Sequence, residues 1–138
     1  MRRLALAAAV LGAMGGGAVA LRTRARPARA AGTAVVSAPP GVRIRVQVLN
    51  ATTTRGLGRR ATAFLRDRGF DVVDVSTARG ARDSTVVIDW SGHTDWAGLV
   101  ARAFGAARVE PRPDSSRYLD VTVLVGRDWS PPAEPFYP

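Results

Sequence analysis

The side chains able to do chemistry are few, and their spacing limits what they can do. His93 is the only histidine, set beside Ser91, Thr94 and Asp95 between a candidate strand and a candidate helix. A metal site needs further His, Cys or Glu at ligand spacing, and none stands near it. The local pattern therefore reads as a helix-start or surface histidine. Glycoside cleavage needs two acids flanking one pocket. Asp71 with Asp74, and Asp89 with Asp95, are close in sequence but read as ordinary surface acids. There is no cysteine, which removes thiol nucleophiles, thiolate metal sites and disulfides. No Gly-x-Ser-x-Gly turn occurs. No catalytic residue, no metal and no cofactor are expected.

Binding is better served than catalysis. Asn50, Thr53, Arg55 and Arg59 place an amide, a hydroxyl and two guanidinium groups around a candidate helix start. Backbone N–H groups at such a start attract anions. The segment lacks the lysine and the glycine spacing of a phosphate-binding loop, and plain helix capping accounts for most of its composition. Arg43 and Arg45, with Gln47, form an outward row on a candidate strand. That row would take phosphate or uronate groups, or serve as a solvated, charge-protected strand face. Trp90, Trp96 and Trp129 read as anchors at core edges, with Trp90 and Trp129 able to stack on sugar rings.

The elements that must position these groups follow from periodicity. Val42 to Val48 alternates apolar and polar at every step, the mark of a half-buried strand. A helix follows, with Thr53 or Thr54 as its cap and Leu57, Ala61, Phe64 and Leu65 on one face. Gly69 stops it. Phe70 to Val75 is the second strand. Thr85 to Asp89 is nearly all apolar and reads as a central third strand. A second helix puts Trp96, Leu99, Val100, Ala103 and Phe104 on one face and stops at Gly105. Arg108 to Glu110 is a short strand, ended by Pro111 and Pro113. Leu119 to Val125 is the last strand. Two strand–helix units of this size predict an α/β (α+β) two-layer sandwich of β-α-β-β-α-β type, with both helices on one face of a mixed sheet of four or five strands.

The net charge of +9 is unevenly placed. Residues 1–41 carry six Arg and no acid, whereas 42–138 carry fourteen Arg and eleven acids. Most of the excess thus lies outside the folded part, which weakens a nucleic-acid reading of the composition. After Arg2 and Arg3, Leu4 to Leu21 runs without a charge but is mostly Ala and Gly. That is short and mild for a membrane span and resembles a signal-peptide core. The expected organisation is a signal peptide or membrane anchor at 1–21, a disordered Ala/Arg/Pro linker at 22–41, one domain at 42–129 and a Pro-rich tail at 130–138.

The blocks "IRVQVLNATTTRGLGRRATAFLRDRGFDVVDV", "STVVIDW", "ARAFGAARVE" and "YLDVTVLVGRDW" resemble the LytR C-terminal domain family of the LytR/CpsA/Psr proteins, in its stand-alone form. The similarity covers about 42–129 and rests on the order of the blocks. Asn50 is followed by Ala51 where Asn-Gly is usual, which predicts a looser turn, and Val125-Gly126 stands for Leu-Gly. The resemblance implies a non-catalytic cell-envelope module, extracytoplasmic and either secreted or held at the membrane by its N-terminal segment. Its expected partner is an anionic cell-wall glycopolymer or peptidoglycan, or an envelope protein. The competing expectation is a cytoplasmic nucleic-acid-associated small basic protein.

Overall fold

The computed structural model describes residues 35–133. The apolar N-terminal segment, most of the expected linker and the end of the tail lie outside them. Among the described residues no helix is long and apolar enough to cross a membrane.

Five strands and two helices form in the order β1 (Arg45–Asn50), α1 (Leu57–Arg66), β2 (Asp71–Thr77), β3 (Val86–Asp89), α2 (Thr94–Ala103), β4 (Arg108–Pro111) and β5 (Val121–Val125). The sheet order is β2-β1-β5-β3-β4. β1 runs parallel to both β2 and β5. β3 runs antiparallel to β5 and parallel to β4. This is the expected mixed-sheet, two-layer α+β fold. β5 takes the central place, and β3 lies inside the sheet beside it.

The alternation of β1 sets the layers. Ile44, Val46 and Val48 are fully buried, and they share one core with Val72, Val87, Val121, Val123 and Val125. Leu57, Ala61 and Leu65 of α1 and Ala97, Val100 and Ala101 of α2 close that same core. Both helices therefore cover one sheet face. The α2 face is centred on Ala97, Val100 and Ala101, while Trp96, Leu99 and Ala103 are only partly buried, a small rotation from the expected stripe. Phe64, Phe104 and Trp129 meet edge to face, with centroids 5.1–5.5 Å apart. Trp129 thus locks the two helices together at the chain's return and is withdrawn from any ligand.

Helix α1 starts differently from expectation. Gly56, with φ +78°, is its cap, and no side chain caps it. The reason is the turn ahead of it. Asn50 Oδ1 accepts from the Thr52 N–H (3.0 Å) and hydroxyl (2.7 Å), and Asn50 Nδ2 donates to the Thr54 carbonyl (2.9 Å). The Thr52 hydroxyl also accepts from the Thr54 N–H. The expected caps, Thr53 and Thr54, make no side-chain cap bond; Asn50 and Thr52 instead hold the segment ahead of the helix in an Asx turn. At the other end Gly69 has φ +81°, and the Phe70 N–H reaches back to the Leu65 carbonyl at 3.1 Å, the expected left-handed stop.

The packed chain begins ahead of β1. The Ala38 N–H donates to the Arg68 carbonyl at 2.9 Å, and Ala38 and Val42 pack against the core.

Candidate functional site

The sheet face away from the helices carries a chain of side-chain hydrogen bonds. Trp90 Nε1 donates to Thr122 Oγ1 (2.8 Å), and Thr122 Oγ1 donates to Gln47 Oε1 (3.0 Å). Gln47 Nε2 donates to Asp74 Oδ2 (2.8 Å), which also accepts from the Ser76 hydroxyl. The register makes this possible, because Gln47 lies opposite Asp74 on one side and Thr122 on the other. The outward row on β1 is therefore not a free solvated face. Arg45 and Gln47 are half-buried and engaged.

Beside Trp90 lies an open cleft of about 460 Å³, within the range of small-ligand sites, roughly 300–1,000 Å³. Trp90, Trp96 and His93 supply its aromatic surfaces, and Arg45, Asp114, Arg117 and Asp120 its charges. The elements position each group. Asp89 is buried; its Oδ1 accepts from the Ser91 and Gly92 N–H groups and the Ser91 hydroxyl, fixing the turn into α2. That turn brings His93 to the helix start, where its ring stacks on Trp96 at 3.9 Å. The segment after β4 is tied back by the Arg112 N–H to the Asp89 carbonyl (2.8 Å) and the Asp114 N–H to the Trp90 carbonyl (2.9 Å). It carries Arg117 to within 3.9 Å of the Trp90 ring, a cation–π contact, with Asp114 3.4 Å from the same guanidinium.

Arg45 and Asp120 form one wall. Arg45 Nε and Nη2 each reach the carboxylate at 3.1 Å, and the Arg45 backbone N–H donates to it at 2.8 Å. Burial pushes the Asp120 carboxyl up, but the hydrogen bonds and charge of Arg45 outweigh it and hold the group below its usual value. The same pairing raises Arg45. Asp114 is likewise lowered, chiefly by the Ser116 hydroxyl and backbone N–H.

The six residues expected at a binding site do not come together. Arg45 lines the cleft. Arg43 lies outside it, exposed and paired with Asp71 at 2.6 Å. Asn50, Thr53, Arg55 and Arg59 lie at the other end of β1, five residue steps and about 16 Å of strand away. The cleft itself depends on Trp96 and Arg117. Trp96 fits a core stripe by period, and Arg117 sits in a segment read only for its prolines. The one sequence signal was the pair of tryptophans either side of Ser91-Gly92-His93.

The cleft's carboxylates are each paired with an arginine, and each indole has one face covered, that of Trp90 by the Arg117 guanidinium and that of Trp96 by the His93 ring. Among the described residues no three His, Asp or Glu side chains converge as a metal site would require.

No curated protein and no solved structure gives a significant match to the chain. A family model described as LytR cell envelope-related transcriptional attenuator matches residues 43–129, from two residues ahead of β1 through Trp129, and the chain belongs to that cell-envelope family, the LytR C-terminal domain.

Proposed function

We propose that this domain is a non-catalytic, extracytoplasmic module that holds a saccharide of the cell wall in the Trp90–Trp96 cleft. The N-terminal apolar segment then serves as export signal or membrane anchor. The observation that carries the reading is the pairing of two indole faces with arginine–carboxylate pairs in one cleft of a cell-envelope domain. A pyranose has an apolar C–H face and a polar rim of hydroxyls. The first suits an indole face, and the second suits fixed donors and acceptors. A binding role is supported over a catalytic one by the engagement of the cleft's acids. Asp114 and Asp120 are lowered rather than raised, so neither is a ready proton donor at neutral pH.

The test is a titration of the full-length chain with soluble peptidoglycan fragments and wall polysaccharide, followed by tryptophan fluorescence. Trp90→Ala is expected to weaken binding about tenfold or more, the loss of one stacked aromatic being about 1–3 kcal/mol. Equal binding by wild type and Trp90→Ala, or no binding by wild type, would sink the reading.

A further inference from the structure

The Trp90 ring does not meet the cleft bare. The Arg117 guanidinium lies 3.9 Å from the ring centroid, and both residues line the same cleft. A flat cation over an indole is held by the negative face of the ring. Asp114 adds a second contact, its Oδ2 standing 3.4 Å from Arg117 Nε. Ring, cation and carboxylate form one composite site, and the cation in it belongs to the chain itself.

The three parts are held with unequal firmness. Trp90 packs on the cluster of Val86, Ile88 and Leu124, and its Nε1 donates to Thr122 at 2.8 Å. The Asp114 N–H donates to the Trp90 carbonyl (2.9 Å), and Asp114 Oδ1 accepts from the Ser116 N–H (3.0 Å) and hydroxyl (2.6 Å). Those donors hold its carboxyl below the usual range, so it stays ionised. Arg117 is the loose member. Its side chain is 46% exposed, and its contact with Asp114 is long for a charge-assisted hydrogen bond, about 2.7–2.9 Å. Exposed pairs of this kind contribute little. The other pair in the cleft is different. The Asp120 side chain is only 9% exposed and accepts from three Arg45 N–H groups at 2.8–3.1 Å. One of the three is backbone and cannot swing away. Arg117 can therefore leave its place, and Arg45 cannot.

Whatever displaces Arg117 must replace it in kind. A neutral ring sliding onto Trp90 would forfeit the cation–π contact and leave Asp114 without its arginine. A protonated amine restores both. We infer that the cleft selects a saccharide carrying a protonated amine, an amino sugar without its acyl group, which displaces Arg117 and seats its ammonium between the Trp90 ring and Asp114, an assignment that rests on the saccharide reading of the cleft and narrows it. The net charge of +9 opposes a cationic ligand at long range, so a preference for one is made locally, at this site.

The experiment titrates the full-length chain with the pentasaccharide of glucosamine and with its N-acetylated counterpart, followed by calorimetry and tryptophan fluorescence. It is run at about pH 6, below the range in which an amine loses its proton. Wild type is expected to bind the free-amine oligomer about three- to tenfold tighter than the acetylated one. Arg117→Ala removes the resident cation and is expected to bind the free-amine oligomer tighter than wild type by about two- to fivefold, the strength of one exposed cation–π contact. Asp114→Asn is expected to erase the preference between the two oligomers. Circular dichroism checks that the variants fold. Equal or weaker binding of the free-amine oligomer by Arg117→Ala would overturn the proposal, and so would a preference that survives Asp114→Asn. Equal or tighter binding of the acetylated oligomer by wild type, still weakened by Trp90→Ala, leaves the saccharide cleft standing and removes the ammonium from it. Absence of binding by both oligomers sinks both readings. Pentalysine carries the ammonium without the sugar ring; if it binds as tightly as the glucosamine oligomer, the saccharide assignment falls.

Discussion

Asp120 ties β1 to the turn after β3 with one residue, through its side chain on one side and its backbone on the other. Its carboxylate accepts from the Arg45 backbone N–H and guanidinium, while its own N–H donates to the Arg45 carbonyl and its carbonyl receives the Trp90 and Ser91 N–H groups. Its folded-state pKa is depressed. A depressed carboxyl contributes stability that is full above the unfolded value, near pH 4 for an aspartate, and is lost as pH falls through the folded value. Asp120→Asn is therefore expected to unfold at lower urea at pH 7, by about 1–3 kcal/mol for hydrogen bonds to a charged group. Its stability should also change less than wild type's between pH 5 and pH 3. Parallel losses in both proteins over that interval would show that Asp120 does not carry the acid sensitivity.

At the scale of the element, strands and helices were legible where period and burial agree. β1 alternates, and Leu57, Ala61 and Leu65 fall on one stripe. What was not legible was how elements begin and approach one another. The start of α1 was expected at Thr53 or Thr54, but Gly56 in the left-handed region takes the cap position, behind the turn that Asn50 and Thr52 close. Gly126 is a second case. By sequence it follows a strand; in the fold it lies where β5 ends against the residues leading into β3. A Cβ there would stand 2.4 Å from the Ser84 carbonyl carbon and 2.7 Å from the Thr85 nitrogen. These are backbone atoms that have no rotamer to change. Gly126→Ala is expected to destabilise by about 1–3 kcal/mol or more, the cost of overpacking, read as a lower midpoint in urea. Gly98→Ala, with nothing near its added methyl, is the matched control on α2 and should not fall below wild type.

At the scale of the molecule, the two-layer fold was readable from the order of elements, yet the grouping of the candidate site was not. Arg43, Arg45, Asn50, Thr53, Arg55 and Arg59 are near neighbours in sequence, and one strand carries them to opposite ends. Strand direction decides which residues share an end, and direction depends on pairing between distant segments. The boundary of the fold is likewise a long-range matter. The family match starts at residue 43, but Ala38 and Val42 pack on the core and Ala38 bonds to Arg68. A chain beginning at residue 43 is expected to be about 1–3 kcal/mol less stable than one beginning at 35, one hydrogen bond and a partly buried valine being lost. Equal melting curves would place the true edge at 43. The bonded side chains from Trp90 to Asp74 bear on the whole molecule too. An indole nitrogen only donates, and an ionised carboxylate only accepts. With both ends of the row committed, the Gln47 amide has no second way round, and neither has the Thr122 hydroxyl. The ring that floors the cleft is thereby tied by one row of hydrogen bonds to the outermost strand on the far side, so a new neighbour laid along β2 would reach the cleft without touching it.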